Sequence, residues 1–243
     1  MSARYDALVT VRTGSSRLKA KCLLEFGGHT VIEHVIDRAV RGGLTPIVCT
    51  TAEAADDVLE RIAAAKGVPC FRGSTEDKLD RWRRACHRFN VADFHTVDAD
   101  DPFFDPVLCK ESLTLLRERG YDMVAPAVST YLASVGYSLT TDVIDRACER
   151  KTTTDTEMMW YHVEKLPGLK TAVLEVPDAR IRDVRLTLDY DEDYWLLRAV
   201  LRMLGPDATR QQIETLFLSN PRLTEINWFR NDAWKAAQEA RRV

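Results

Sequence analysis

Four cations, one glycine and two serine hydroxyls fall within ten residues near the start of the chain, Arg12-Thr-Gly-Ser-Ser-Arg-Leu-Lys-Ala-Lys21. Gly14 allows a backbone to pass close to a ligand and present its N–H groups, and Ser15 and Ser16 add hydroxyl donors. Arg12, Arg17, Lys19 and Lys21 supply charge that neutralises phosphate. The spacing is neither that of a Walker A loop nor that of a GxGxxG fingerprint. A solvated basic turn has the same composition, so the loop alone leaves both readings open.

Two acidic segments could face such a loop. The first, Asp98-Ala-Asp-Asp-Pro-Phe-Phe-Asp105, carries four carboxylates in eight residues, which repel one another unless a cation sits among them. Hard oxygen donors on a short turn suit Mg²⁺, which needs few protein carboxylates when phosphates supply the remaining ligands. Asp105, just before Pro106, reads as a helix cap, and Asp100 as the metal residue. The second segment is Arg185-Leu-Thr-Leu-Asp-Tyr-Asp-Glu-Asp193. There Asp191, Glu192 and Asp193 are explained by the dipole and capping of a following helix, whereas Asp189 closes a β-like run and is not. A cationic phosphate loop facing Asp100 and Asp189 on one rim is the layout of metal-assisted phosphoryl or nucleotidyl transfer, with Lys21 expected across a cleft from the two carboxylates.

The elements that would position these residues alternate in period. Short β-rich runs at 5–11, 46–50, 69–71, 94–97 and 123–127 are separated by helical spacing at 31–40, 56–66, 75–88 and 107–119. Such βαβ units imply a parallel sheet covered on both faces, whose carboxyl ends carry the loops that bind ligands. The pattern loosens over about 129–184 and returns with a strand-like run at 185–189, an amphipathic helix through Trp195 and Leu204, and helices at 210–218 and 228–242. No Pro/Gly/Ser linker or repeat interrupts it, so residues 1–243 read as a single α/β domain.

Net charge is −3, which argues against a nucleic-acid or membrane coat, and no apolar run is long enough to span a bilayer. The start lacks a signal-peptide pattern, so a cytoplasmic protein is expected. Six scattered cysteines without a CxxC pair read as small buried hydrophobes, not as a zinc site. The apolar cluster Met158–Tyr161 lies outside the periodic core and reads as a homodimer contact. Glu157 and His162 beside it read as a helix end facing that contact. Trp228, Phe229 and Trp234 read as core packing of the last helix, and the charged run 81–88 mostly as a solvated helix face.

The loop RTGSSRLKAK, with CLLEFGGHTVIEHVIDRA after it, resembles the opening of the cytidylyltransferase family that includes CMP-sugar-acid synthetases, and within it the spore-coat polysaccharide branch. VPCFRGSTEDKLDRW (68–82), TVDADDPFFDP (96–106), RLTLDYDEDYWLLRAV (185–200) and SNPRLTEIN (219–227) are similar to further family segments in the same order. Lys19-Ala20 stands where the family pattern has Pro-Gly, Asp101 where it often has Cys or another small residue, and Glu157 with His162 roughly where related sequences carry a Glu-His pattern near the acceptor.

The resemblance implies a three-layer α/β/α sandwich of the nucleotide-diphospho-sugar transferase, Rossmann-like type. It implies that Arg12, Gly14, Ser15, Arg17 and Lys21, with Ser16 beside them, hold a nucleoside triphosphate. Arg72, Gly73 and Ser74 would lie beside base and ribose, with Asp80 and Arg81 supporting that wall, and Asp100 and Asp189 would hold Mg²⁺. The implied reaction is transfer of CMP from CTP to a sugar acid, sugar phosphate or related anionic acceptor for surface-polysaccharide biosynthesis, with Arg12, Arg17 and Lys21 stabilising departing pyrophosphate. A glycosyltransferase-like or other-NTP enzyme of the same fold, or a non-catalytic nucleotide-binding subunit, are the alternatives.

Overall fold

The computed structural model describes residues 4–15, 17–176, 178–181 and 183–239. Among these, seven strands form one sheet: β1 (Asp6–Thr10), β4 (Thr45–Thr51), β5 (Cys70–Gly73), β6 (Asp93–Asp98), β7 (Met123–Pro126), β8 (Ser138–Thr140) and β9 (Thr171–Leu174). The two short strands β2 (Glu25–Phe26) and β3 (His29–Thr30) pair as a separate hairpin. The sheet order is β5-β4-β1-β6-β8-β7-β9, parallel throughout except for β8, which runs antiparallel to both neighbours. After β1 the chain builds outward to β4 and β5, then crosses back to lay β6 on the other side of β1. That reversal opens a crevice beyond the carboxyl ends of β1 and β6, where Thr10 stands opposite Asp98.

Alternation along the strands divides the core. Leu8, Ile47 and Phe94 point to the face covered by α3 (Lys78–Phe89), α5 (Thr141–Arg150) and α6 (Met159–Val163). Ala7, Val9, Val48 and Val97 point to the face covered by α1 (Val31–Arg41), α2 (Asp57–Ala65) and α4 (Pro106–Arg119). This is the expected three-layer sandwich. A third apolar cluster joins the hairpin to α7 (Asp191–Leu204) and α8 (Arg210–Ser219) through Phe26, Leu186, Leu188, Leu196 and Phe217. Last comes α9 (Arg230–Glu239), and the end of the helix expected at 228–242 lies outside the described residues.

Local chemistry sets the helix starts. Thr30 and Glu33 form a reciprocal capping box on α1, and Asp105 accepts the Val107 N–H with Pro106 at the first position of α4, as its sequence suggests. Helix α3 starts at Lys78 and not at 75, because Asp77 caps it by accepting from the Asp80 N–H.

Several expectations need correction. Residues 185–189 alternate like a strand, but they join no ladder and touch the sheet's rim through Leu188 N–H to Asp100 O at 2.7 Å. The cluster at 158–161 divides: Met159 is buried in the chain's own core with Trp160 packed against it, while Tyr161 stays exposed. Phe229 is 61% exposed, and Arg81, in the charged run, is buried. Cys22, Cys49, Cys86 and Cys109 are buried among apolar side chains, with Cys70 and Cys148 partly so. Among the described residues no helix is long and apolar enough to cross a membrane.

Candidate active site

The basic loop leaves β1 and is fastened at once. Asp56, buried just before α2, accepts both the N–H and the hydroxyl of Thr13, at 2.8 and 2.6 Å, through Oδ1. Its Oδ2 accepts from Thr50 and Thr51 at the end of β4. Burial would raise its pKa, but these donors outweigh burial and lower it. The loop ends at Ala20, whose φ of 47° lies in the left-handed region, and the turn Lys21–Leu23 that follows carries the lysine back toward the rim.

Lys21 is the centre of the site. Its Nζ donates to Asp100 Oδ2 at 2.5 Å and to Asp189 Oδ1 at 2.8 Å, so it stands between the two carboxylates and not across a cleft from them. Arg17 Nη2 donates to the same Asp189 oxygen at 2.6 Å, and Arg185 Nη2 to Asp189 Oδ2 at 3.0 Å. Residues 17 and 21, 100 and 189 thus converge from three distant segments. Asp189 is buried; burial alone would raise its pKa, but the charges of Lys21 and Arg17 hold it at about 2. Burial works against the Lys21 ammonium, yet Asp100 and Asp189 prevail and raise its pKa. Asp100 moves upward, because burial and the neighbouring carboxylates outweigh its one lysine.

The acidic turn is crowded. Asp98, Asp100 and Asp101 each offer an oxygen within 4.8 Å of the others. Burial and the charge of Asp100 push the Asp101 pKa well up, while Thr187 donates to Asp101 Oδ1 at 2.6 Å. Packed carboxylate oxygens of this kind are the donor set of a hard divalent cation, so the residues present fit Mg²⁺. Lys78, unnoticed in the sequence, lies 3.5 Å from Asp98 Oδ1 and 5.0 Å from the Trp82 ring.

The other residues singled out in the sequence divide. Arg12 faces the same rim, 3.6 Å from Glu157 and 3.4 Å from the Thr75 carbonyl. Gly14 is exposed with open space around its Cα, and Ser15 turns its N–H onto the Thr13 carbonyl. Ser16 lies outside the described residues. Arg72 is not brought to the Lys21 group: its guanidinium is taken up by Thr51 O, Glu53 O, Asp57 and Glu60 on the α2 side. Gly73 is tightly packed: a Cβ there would come within 3.0–3.1 Å of the Phe71 and Arg81 side chains. Buried Arg81 donates to the Ser74 carbonyl, and Ser74 Oγ accepts the Asp77 N–H, so this wall is internally braced. Asp80 instead turns along α3 to Arg83 at 2.8 Å.

Asp193 caps α7 as its place in the first turn suggests, accepting the Tyr190 N–H, but its role reaches further than the helix end. It is fully buried and accepts from Arg185 Nε, the Asp189 and Tyr190 N–H groups and Asn227 Nδ2. Asn227 also donates to the Arg185 carbonyl at 2.9 Å. An acidic first turn hides such a residue among exposed ones; the helix phase that puts Asp193 with buried Leu196 and Leu197 is the signal that distinguishes it.

A family model described as "Cytidylyltransferase" matches residues 7–166. The chain is 25% identical over 234 residues to the spore coat polysaccharide biosynthesis protein SpsF of Bacillus subtilis, covering 88% of this chain and 94% of that protein. It also resembles the structure of a cytidylyltransferase from Leptospira borgpetersenii (TM-score 0.80, 21% identity, 91% of this chain and 97% of that one). A CMP:2-keto-3-deoxy-manno-octonic acid synthetase complexed with CTP is similar in fold (TM-score 0.64, 15% identity, 83% and 99%).

Proposed function

Since the chain belongs to the cytidylyltransferase family, we propose that it transfers CMP from CTP to an anionic acceptor, a sugar acid or sugar phosphate of surface-polysaccharide biosynthesis, and releases pyrophosphate. The observation that carries this reading is the convergence of Arg17, Lys21, Asp100 and Asp189 at the carboxyl ends of β1 and β6. Two cations and two carboxylates at one point suit a triphosphate whose charge must be both bound and redistributed.

An acceptor oxygen attacks the α-phosphorus in line with the bond to the bridging oxygen, which breaks as pyrophosphate leaves. Arg17 and Lys21 hold the β and γ oxygens and take up the charge that grows on them, and Arg12 adds charge at the same rim. Exposed Gly14, with open space around it, lets the loop backbone pass close to the phosphates. The wall of Gly73 and Ser74, braced by Arg81, lies beside base and ribose. Asp100 and Asp189 would hold Mg²⁺, which when bound offsets charge on the transferring phosphates. Asp189 is kept ionised by its cationic neighbours, as a metal ligand must be. No separate general base is assigned: a phosphate acceptor attacks as an anion, and the proton of a sugar-acid hydroxyl passes to solvent as its oxygen bonds to phosphorus.

The test is to incubate the protein with each of CTP, UTP, ATP and GTP, Mg²⁺ and a panel of acidic acceptors, and to follow pyrophosphate. Release is expected with CTP and an acceptor together; release with another nucleotide in place of CTP would overturn the base assignment, and nucleotide binding without release would favour a non-catalytic subunit.

A further inference from the structure

The position of Lys21 carries a consequence for how the site is filled. A divalent cation shared by Asp100 and Asp189 needs the oxygens that the Lys21 ammonium now occupies at 2.5 and 2.8 Å. Metal–oxygen bonds of about 2.0–2.1 Å leave no room for a nitrogen in the same gap, and a 1+ and a 2+ charge a few ångströms apart repel strongly. Lys21 is itself mostly buried, so the ammonium has no hydration shell waiting for it unless it leaves. It can leave only toward another anion.

The site shows where that anion belongs. Arg17 keeps one guanidinium N–H on Asp189, while its buried Nε has no hydrogen-bond partner. A buried donor left unmet is costly, and a phosphate oxygen arriving beside Arg17 and Lys21 would satisfy it. Lys21 and Arg17 are four residues apart on one loop and share Asp189 Oδ1, so an anion binding to both would draw both away from the carboxylate together.

We infer that Lys21 is an interlock: it neutralises Asp100 and Asp189 in the free protein and surrenders them to a divalent cation only when a nucleotide's phosphates draw the ammonium away. The inference rests on the metal assignment proposed above and adds an order to it. Metal and triphosphate enter together, and metal alone is refused. Arg17 and Arg185 also hold Asp189, so when Lys21 leaves, that carboxylate keeps a cationic partner while Asp100 gives up its lysine.

The experiment is a titration of the protein with Mn²⁺ alone, reading free Mn²⁺ by electron paramagnetic resonance, for the wild type, Lys21→Met and Lys21→Gln. The glutamine variant keeps a donor toward the carboxylates without the charge and guards against a methionine variant that fails to fold. The expected result is Mn²⁺ binding at least ~10-fold tighter in the lysine variants than in the wild type, lost again when Asp189→Asn is added. Wild-type binding as tight as in the variants, and abolished by Asp100→Asn, would overturn the interlock while leaving the metal assignment standing. Lys21 variants whose Mn²⁺ binding does not respond to Asp100→Asn or Asp189→Asn would overturn the metal assignment, and the interlock with it.

Discussion

Arg185 lays its guanidinium against Asp193, Nε to Oδ1 at 2.9 Å and Nη2 to Oδ2 at 3.1 Å, with both side chains out of solvent. Around that pair the backbone of Asp189 and Tyr190 is tied to Asp193, and Asn227 closes the far side. The non-ladder segment carrying Asp189 therefore hangs from the first turn of α7.

Asp193→Asn leaves Arg185 buried without its full counter-charge, and is expected to cost about 3–5 kcal/mol in urea unfolding while also slowing turnover, because Asp189 loses its anchor. Asp191→Asn, exposed in the same turn, should stay within about 0.5 kcal/mol. Equal small effects from both would show that Asp193 is only a dipole residue after all.

The fold was readable because its parallel strands are apolar runs set between amphipathic helices, and the loops at 12–21 and 98–101 follow the strands β1 and β6 that flank the chain reversal. Asp189 was found for an incomplete reason. Leu186 and Leu188 are buried on either side of a less buried Thr187, which imitates a strand, yet among the described residues the only backbone bond from the segment to the acidic turn runs from Leu188 to Asp100, with Thr187 adding a side-chain bond to Asp101. Asp56 and Lys78 draw no attention in the sequence, and Asp193 draws it only as a helix-end residue, because each is a charged residue in or next to a helix's first turn, the commonest place for a solvated one. Only burial, which depends on the tertiary packing of α2, α3 and α7, sets them apart. Arg72 shows the converse: a motif residue whose local acidic neighbours, Asp57 and Glu60, engage it first.

Lys21→Ala should slow CTP-dependent turnover by about 10–100-fold, the effect of losing a charge-assisted contact of about 1.5–3 kcal/mol. Lys19→Ala, exposed on the same loop, should change it less than about twofold. Comparable losses in kcat/KM from the two would mean that the loop's charge acts collectively and Lys21 has no special place.

Ala20 occupies a conformation that costs a residue with a Cβ about 1–2 kcal/mol, at the position where the family pattern carries glycine. Ala20→Gly is expected to raise Tm by about 2–4 °C, measured by differential scanning calorimetry. A lowered Tm would indicate that the Ala20 methyl contributes packing that outweighs the strain.

Two buried histidines make the fold acid-sensitive. His34 donates Nε2–H to the Pro102 carbonyl at 2.9 Å, and burial lowers its pKa from 6.5 to about 4. His95 lies against Ser138, whose hydroxyl donates on to Ser112, and burial lowers its pKa to about 3. Between these values and 6.5 the unfolded chain binds protons that the folded one refuses, so stability is fully present above pH 6.5 and falls as pH drops toward 4 and then 3. From pH 6.5 to 5 each histidine should remove roughly 1–2 kcal/mol. Unfolding free energies of the wild type and of His34→Gln/His95→Gln across that window check this: the double variant should lose most of the slope, and an unchanged slope would place the titration elsewhere.

Cytidylyl transfer itself is tested most directly by the fate of the phosphates. The protein is supplied with Mg²⁺, a pool of 2-keto sugar acids and sugar phosphates, and CTP labelled with ³²P at either the α or the γ position. The account predicts that α label joins a new anionic product in step with γ label appearing as pyrophosphate, and that Asp189→Asn abolishes both. Release of γ label as inorganic phosphate, with α label retained in CDP, would contradict it.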